Sequence, residues 1–307
     1  MALFEFSVAI GFSLFAFGLL VGTIAPTFGI GGGLLNVPIL LLVYSKILGL
    51  NSDTATATSL GIIFFTALSG TISYVREKRI DFRIALTFTI FAVPGAVTGS
   101  NISRWLKNKN YEFDFLQIIF ACVMILIAVY KITTIFINKY RARNEINENT
   151  EPELNEKIED DKPWWKQRIL IRELEDRHGN VYKYKTKLMP GVLIAFFGGF
   201  IGGMLGLGGG VVFMPILTMA LGVPVAVAVA TSTFTILIAN PFAVAIRFAS
   251  VQWDIVICMA LGTVIAANIV PRFVHKIKSE WLLSGFWFIA IAAAIRLLIK
   301  VLTDIQI

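Results

Sequence analysis

The amino-acid sequence predicts an all-α integral membrane protein built from two homologous halves. Composition, a series of long apolar segments and an internal repeat support this prediction. Hydrophobic side chains make up 56% of the 307 residues and charged side chains 15%, and the mean hydropathy is +0.76. A soluble globule needs more polar groups than this to cover its surface, so much of the surface must face lipid. We expect a multi-pass protein of the cell (plasma) membrane.

Apolar segments fall into two series of five when they are compared with the roughly 20 residues of a spanning helix. Those of the first half cover residues 6–26, 34–44, 54–75, 82–102 and 113–137. Those of the second half cover residues 189–205, 211–221, 225–248, 255–274 and 281–302. The second segment of each half is unusually short. No Lys or Arg precedes Lys46, so we expect the first segment to be a retained helix and not a secretory signal.

A charged linker separates the two halves. Residues 1–138 form the first predicted repeat, residues 139–187 the linker and residues 188–307 the second repeat. The first part of the linker is too polar to pack a core, so we expect it to be flexible and cytoplasmic. Its second part alternates apolar and polar residues in ILIREL and VYKYK, on either side of the turn residues around His178. This pattern predicts a β-hairpin with His178 in the turn and not as a ligand.

An internal repeat relates the two halves. GIGGGLLNVP at residues 29–38 matches GLGGGVVFMP at residues 206–215, with the glycines and the proline in register. ATS at residues 57–59 matches ATS at residues 230–232. Asp81 and Asp254 then correspond, and GAVTGSNI matches GTVIAANI further on. Four correspondences in the same order indicate a two-fold repeat.

Membrane orientation depends on how often each half crosses. If all five segments cross, the halves are inverted, and the basic residues 76–79, the linker and residues 272–278 share the cytoplasmic side with both termini outside. The basic residues 104–109 then fall outside, against the positive-inside rule. If the short second segment is only re-entrant, residues 272–278 fall outside as well. We therefore prefer inverted repeats, and the four-crossing alternative stays open.

The glycine motifs predict a binding site. A glycine cluster beside a short apolar segment breaks a helix at membrane depth, which is tolerated where the backbone lines protein or a cavity. Such breaks at matching positions of two repeats point to a transporter site near the bilayer midplane, and helices that start at Leu34 and Val211 would favour an anion there. The alternative is close helix packing through GxxxG spacing. The candidate substrate-binding residues are Gly31, Gly32, Gly33, Asn36, Thr58, Ser59, Gly208, Gly209, Gly210, Thr231, Ser232, Asn240 and Asn268.

Polar side chains within the segments carry further expectations. The Thr and Ser hydroxyls of the ATS segments either bind a solute or bond to neighbouring backbone. Asn101, Asn240 and Asn268 are costly in lipid, so we expect them to face the bundle interior. Arg247 lies near a segment end, and we expect it to extend to the membrane interface. The chain shows no metal-ligand motif and no acidic pair within a segment, so we predict neither an enzyme nor a cofactor.

GIGGGLLNVPILL and GLGGGVVFMPILT, each followed by ATS, resemble the TauE/SafE family of sulfite exporters. The resemblance covers nearly the whole chain outside the linker. It implies export or import of small sulfur-containing anions, such as sulfite or sulfonates. We predict an exporter that works by alternating access around a site between the two repeats. A passive anion channel and a membrane-embedded assembly protein remain as alternatives. The expected partners are a small anionic solute and the lipid bilayer. We expect no nucleic acid, since the basic residues lie in short clusters between apolar segments. Formation of a homo-oligomer stays open.

Overall fold

A computed structural model describes residues 8–108, 170–186 and 188–270, together with Ile295 and Ile299. The fifth predicted segments, residues 113–137 and 281–302, lie outside the described residues except for those two isoleucines. The first part of the predicted linker lies outside them as well.

Helices dominate the described chain. The first half contains α1 (Val8–Phe28), α2 (Gly33–Ile39), α3 (Ser45–Leu48), α4 (Ser52–Arg76) and α5 (Phe82–Asn108). The second half contains α6 (Leu188–Leu205), α7 (Gly210–Pro215), α8 (Val225–Ile246), the short 3₁₀ turn Phe248–Ser250 and α9 (Trp253–Ile269). Among these elements, α1, α4, α5 and α8 are long and apolar enough to cross a membrane. These helices agree with the prediction of a helical membrane protein.

Each glycine motif leads into a short helix that widens into a π-helical turn. In the first half the π turn is Leu40–Tyr44, directly after α2, and in the second half it is Ile216–Ala220, directly after α7. Pro38 and Pro215 lie just before these turns. Proline has no N–H and cannot continue the i→i−4 hydrogen bonds, so the change of helix type has the same local cause in both halves.

Helices of one half pack mainly against helices of the other. Helix α1 packs on α9, and α5 packs on α6. The central helices α4 and α8 contact each other; α4 also contacts α9, and α8 also contacts α5. Small residues allow this close packing: a Cβ at Gly22 of α1 would lie 2.6 Å from Thr263 Cα, and one at Gly95 of α5 would lie 2.9 Å from the Phe200 nitrogen. The two repeats are therefore interleaved and share one core.

The central helices α4 and α8 run antiparallel. At one end of the bundle Arg247, directly after α8, hydrogen-bonds to Asp53 at the start of α4. Toward the other end, a Cβ at Gly70 of α4 would lie 3.3 Å from the Thr233 methyl group in the first half of α8. Because α4 and α8 carry the two repeated ATS segments, these equivalent helices point in opposite directions.

Residues 170–186 form an antiparallel β-hairpin. Strand β1 (Leu170–Glu175) pairs with β2 (Val181–Thr186), with Leu170 opposite Thr186. The turn is closed by Asp176, whose Oδ1 accepts hydrogen bonds from the backbone N–H groups of His178 (2.8 Å) and Asn180 (2.9 Å). The alternating residues that predicted a hairpin thus form its two strands, and His178 lies in the turn.

Buried ion pairs hold the hairpin against the α4–α5 turn. Arg79 Nη2 lies 3.1 Å from Asp176 Oδ2, and both side chains are fully buried. Asp81 accepts two hydrogen bonds from Arg172, at 2.8 and 3.1 Å, and a third from the Tyr184 hydroxyl at 2.7 Å. Asp81 lies at the edge of the predicted segment of residues 82–102. In the structure it is covered by the hairpin at that end of the bundle.

Acid should release the hairpin only at low pH. Burial raises the pKa of Asp81, but hydrogen bonds from Arg172 and Tyr184 and the charge of Arg172 together bring it below its ordinary value. Burial also opposes ionisation of Asp176, whose pKa is lowered overall by Asn180, the His178 N–H and Arg79. A carboxyl group with a depressed pKa stabilises the folded state above its unfolded pKa of about 3.9, and this contribution disappears as the pH falls through the folded value.

We therefore expect the hairpin to stay docked at about pH 5 and to detach below about pH 4. Spin labels at the exposed positions Lys183 and Arg83 would report the distance between the hairpin and α5 across this range. The variant Asp176→Asn should show a smaller acid transition, because one of the two titrating carboxyl groups is gone. Release already between neutral pH and about pH 5 would mean that neither carboxyl group controls docking.

Candidate functional site

The two glycine motifs meet midway along α4 and α8. A Cβ built at Gly31 would lie 3.0 Å from Ile236 Cδ1 and 3.4 Å from Ile63 Cγ2. A Cβ at Gly208 would lie 2.9 Å from the same Ile63 methyl group and 3.6 Å from Ile236 Cγ2. Ile63 lies near the middle of α4 and Ile236 near the middle of α8. The chain thus brings its two repeated motifs together at the centre of the bundle.

Both motifs make the same backbone turn. The three positive φ angles of the first motif are 67°, 69° and 89°, and those of the second are 72°, 68° and 76°. Glycine adopts these angles at little cost because it has no Cβ. The residues concerned are Gly29, Gly31 and Gly32 in the first motif and Gly206, Gly208 and Gly209 in the second.

The last glycine of each motif has a different role. A Cβ at Gly33 would lie 2.5 Å from Leu207 Cα, and one at Gly210 would lie 2.6 Å from the Ile30 carbonyl carbon. Each motif therefore presses its final glycine against the backbone of the other. At these two positions the structure supports close packing, which was the alternative interpretation of the motifs.

The side chains next to the third positive-φ glycine differ between the two motifs. A Cβ at Gly32 would lie 3.0 Å from a Val21 methyl group and 3.5 Å from Asn36 Nδ2. A Cβ at Gly209 would lie 2.7 Å from ring carbons of Phe213. Asn36 and Phe213 occupy corresponding positions of the repeat. The first motif therefore faces an amide where the second faces an aromatic ring.

The ATS serines fasten each motif to the opposite half. Ser59 Oγ in α4 donates a hydrogen bond of 2.8 Å to the Gly206 carbonyl. Ser232 Oγ in α8 donates one of 3.1 Å to the Gly29 carbonyl. The two bonds are equivalent under the repeat, and they hold the start of each motif against a helix of the other half.

The ATS threonines accept hydrogen bonds from the connections before α9 and α5. Thr58 Oγ1 accepts from the Gln252 N–H at 3.0 Å, and Thr231 Oγ1 accepts from the Asp81 N–H at 3.3 Å. All four ATS hydroxyls thus bond to backbone in this conformation. Their contact with a solute stays a prediction.

Two buried amides next to the motifs lack hydrogen-bond partners among the described residues. Asn36 is fully buried, and neither its Nδ2 nor its Oδ1 has a partner. Asn240 Nδ2 donates to the Leu60 carbonyl at 2.6 Å, but its Oδ1 has none. A buried polar group without a partner costs about 1–3 kcal/mol, and such groups are rare in proteins. These amides are therefore the side chains best placed to bind a polar solute.

The other two asparagines lie elsewhere. Asn268 lies near the end of α9, where its backbone carbonyl accepts a hydrogen bond from Ser73 Oγ near the end of α4, and its side-chain Oδ1 is buried without a partner among the described residues; the contacts described for it do not include a glycine motif. Asn101 is exposed, and its amide donates to the Val97 carbonyl of its own helix at 3.0 Å. The expectation that Asn101 faces the bundle interior is wrong, because its own helix satisfies the amide.

Space at the motif crossing is small in this conformation. A cavity of about 10 Å³ lies between Gly208, Phe213, Asn240 and Ala243. That volume holds about one water molecule. The described residues also contain no group of three His, Cys, Asp or Glu side chains that could hold a metal ion.

Arg247 is a buried polar residue that the sequence analysis misplaced. Its side chain is 1% exposed, and Nη2 lies 2.6 Å from Asp53 Oδ1. The expectation that it extends to the membrane interface is wrong, since the start of the antiparallel helix α4 offers it a carboxylate. Both residues lie at segment edges, and the opposite directions of α4 and α8 bring these two edges together.

Comparison with known proteins identifies relatives of the chain. The model of the family described as Sulfite exporter TauE/SafE matches residues 14–297. The probable membrane transporter protein YunE of Bacillus subtilis (strain 168) is 30% identical over 210 residues, which cover 67% of this chain and 66% of the relative. A probable membrane transporter protein of Methanocaldococcus jannaschii is 26% identical over 205 residues, 66% of this chain and 60% of the relative. The chain thus spans slightly less than two thirds of these relatives.

No solved structure matches the chain. The family match includes both glycine motifs, both ATS segments and the described helices around them, with α1 included from residue 14 onward. The described helices include several that are long and apolar enough to span a bilayer. The chain therefore belongs to the TauE/SafE family and is a multi-pass membrane protein.

Proposed function

We propose that the protein transports a small sulfur-containing anion, such as sulfite or a sulfonate, by alternating access around the two glycine motifs. One observation carries this proposal: motifs from different repeats meet at the centre of the bundle, beside the buried Asn36 amide that has no partner among the described residues. Membership of a family described as sulfite exporters supports the class of solute.

An anion fits this crossing better than a cation. Helices α2 and α7 begin at Gly33 and Gly210, so the partial positive charge of their first turns lies at the crossing. Carboxylates that would attract a cation lie at helix ends instead: Asp53 and Asp254 are the second residues of α4 and α9, and Asp81 lies in the α4–α5 turn. The unpaired Nδ2 of Asn36 adds a hydrogen-bond donor.

Alternating access requires two ends that open in turn around a fixed site. The antiparallel direction of α4 and α8 and the reciprocal ATS bonds support inverted repeats, the symmetry found in many such transporters. One end of the bundle is covered by the hairpin on Asp81, and the Asp53–Arg247 pair lies at the other. Between them, the described residues enclose a cavity of about 10 Å³, as expected of an occluded transporter.

The proposed topology predicts labelling from opposite sides. Lys183 is exposed on the hairpin, and Ala249 is exposed in the connection between α8 and α9, at the opposite end of the bundle. We expect Lys183→Cys to react only from the cytoplasmic side and Ala249→Cys only from outside, in a background without Cys122 and Cys258. Reaction of both cysteines with an impermeant maleimide from one side would contradict inverted repeats.

Transport is tested in reconstituted vesicles. Vesicles preloaded with unlabelled sulfite should transiently accumulate labelled sulfite by counterflow, whereas protein-free vesicles should not. A passive channel would instead carry steady anion current across a planar bilayer and show no counterflow. If neither sulfite nor a sulfonate is taken up, the assigned solute class is wrong; if no anion is taken up at all, an assembly role accounts better for the protein.

A further inference from the structure

Arg247 is a cation buried close to the second glycine motif. Its Nη2 donates to the Asp53 carbonyl at 2.9 Å, to Asp53 Oδ1 at 2.6 Å and to Thr56 Oγ1 at 2.6 Å. The whole residue is 3% exposed. Within the described chain, Nη2 thus makes all the hydrogen bonds of the guanidinium group.

The other two nitrogens have no acceptor among the residues that the structure describes. Arg247 Nε and Nη1 are buried, and neither has a partner within the described chain. A guanidinium group has five N–H donors, of which Nε carries one and Nη1 two. A structural ion pair normally saturates such donors, because leaving donors of a charged group buried and unpaired is costly. These donors can therefore take a further acceptor, and they are more numerous than in the pair at the opposite end, where only Nη1 of Arg79 is unpaired among the described residues.

Contacts place Arg247 next to the proposed substrate site. Thr56, which accepts from Arg247, also packs on the second motif: a Cβ at Gly206 would lie 2.7 Å from Thr56 Cβ. Ala243, one helical turn before Arg247 in α8, lines the small cavity together with Gly208. The guanidinium group therefore lies between the end of the bundle and the crossing of the motifs.

We propose that Arg247 binds the transported anion and that Asp53 takes the place of the anion when the site is empty. This inference rests on the proposed function, since it assumes that the solute is an oxyanion. A carboxylate, a sulfite ion and a sulfonate group all offer negatively charged oxygens, which arginine binds through charge-assisted hydrogen bonds. Asp53 bonds to Nη2 and leaves Nε and Nη1 to the anion, but two negative charges on one guanidinium group repel each other, so binding of the anion would weaken the Asp53–Arg247 pair at this end of the bundle.

Competition between Asp53 and the anion predicts opposite effects of two substitutions. Arg247→Gln should weaken anion binding roughly tenfold or more, because hydrogen bonds to a charged donor are lost. Asp53→Asn should strengthen binding, by about threefold or more, because the competing charge is removed while the side chain keeps its shape. If the pair were only structural, removing either partner would leave an unpaired buried charge and harm the protein in the same direction.

The experiment measures dissociation constants of the purified full chain for sulfite and for methanesulfonate, with chloride as the control anion. The concentration dependence of the melting temperature gives the constant even when a variant has a lower starting stability. Arg247→Lys keeps the charge without the planar fork and should bind with intermediate affinity. Asp176→Asn is the matched control, since Asp176 also pairs with a buried arginine but at the opposite end of the bundle; it should leave anion affinity unchanged.

Each outcome decides a separate point. Tighter binding by Asp53→Asn with weaker binding by Arg247→Gln supports the assignment. Weaker anion binding by both variants, or unchanged binding by both, overturns the assignment. Equally tighter binding by Asp176→Asn overturns it too. In each of these cases, binding by the wild-type protein leaves the proposed function standing. If wild-type protein binds neither sulfite nor methanesulfonate, the proposed function and this inference both fail. Should Arg247→Gln not fold, the double variant Asp53→Asn/Arg247→Gln replaces it, and wild-type affinity in that variant would overturn the assignment.

Discussion

Gly33→Ala and Gly210→Ala should each abolish most of the transport activity and also destabilise the protein. A Cβ at Gly33 would lie 2.5 Å from Leu207 Cα, and one at Gly210 would lie 2.6 Å from the Ile30 carbonyl carbon. Backbone cannot rotate away as a side chain can, so the two motifs must separate. Overpacking of this kind costs about 1–3 kcal/mol or more. A displacement of about 1 Å at a site can lower a rate by roughly a hundredfold, so we expect a loss of at least about tenfold.

Gly49→Ala is the matched control for this prediction. Gly49 has a φ of +63°, and no heavy atom lies within 4 Å of its built Cβ. Its substitution therefore carries only the backbone cost of a positive φ, on the order of 1–3 kcal/mol. Gly33 and Gly210 have no positive φ, so their substitution carries only the steric cost. Vesicle uptake and melting temperature should be measured for all three variants; wild-type uptake by Gly33→Ala would show that the motifs do not meet in the way described.

Local chemistry made the glycine turns predictable. A residue without a Cβ can adopt positive φ, and the repeated order of glycines predicted the same break in both halves; the φ angles of the two motifs agree closely. The proline of each motif also acts locally, since it lies one or two residues before a π turn. The sequence did not indicate which glycine makes which contact. Gly33 packs against Leu207, which lies in the other repeat, and only the packing of the helices brings the two together.

Ion pairs between distant segments were beyond sequence reasoning. The charge of the basic residues 76–79 predicts a cytoplasmic position, but Arg79 is fully buried and pairs with Asp176 of the hairpin. A sequence shows the charge of each residue but not whether an opposite charge is brought within 4 Å by the fold. The same reason explains the misplacement of Arg247, whose partner Asp53 lies in another helix.

Asn36 is the candidate site residue with the clearest test. Asn36 corresponds to Phe213 in the repeat, so the fold accepts an apolar side chain at this position in the second half. Asn101 supplies the matched control, because it is an asparagine in a spanning helix whose amide is satisfied by the Val97 carbonyl on an exposed face. Asn101→Leu should therefore leave uptake unchanged.

Asn36→Leu should leave the protein as stable as before or more stable, and should nevertheless impair transport. The amide is fully buried without a partner among the described residues, and removing such a group relieves a cost of about 1–3 kcal/mol, which offsets the larger volume of leucine. If the amide binds the anion, the lost hydrogen bonds are worth about 1.5–3 kcal/mol, which is a loss of roughly ten- to a hundredfold in apparent affinity. Melting temperature and the concentration dependence of uptake separate the two effects. An unchanged apparent affinity in a protein of normal or raised stability would mean that Asn36 does not contact the solute, and a parallel fall of stability and uptake would mean that its role is packing.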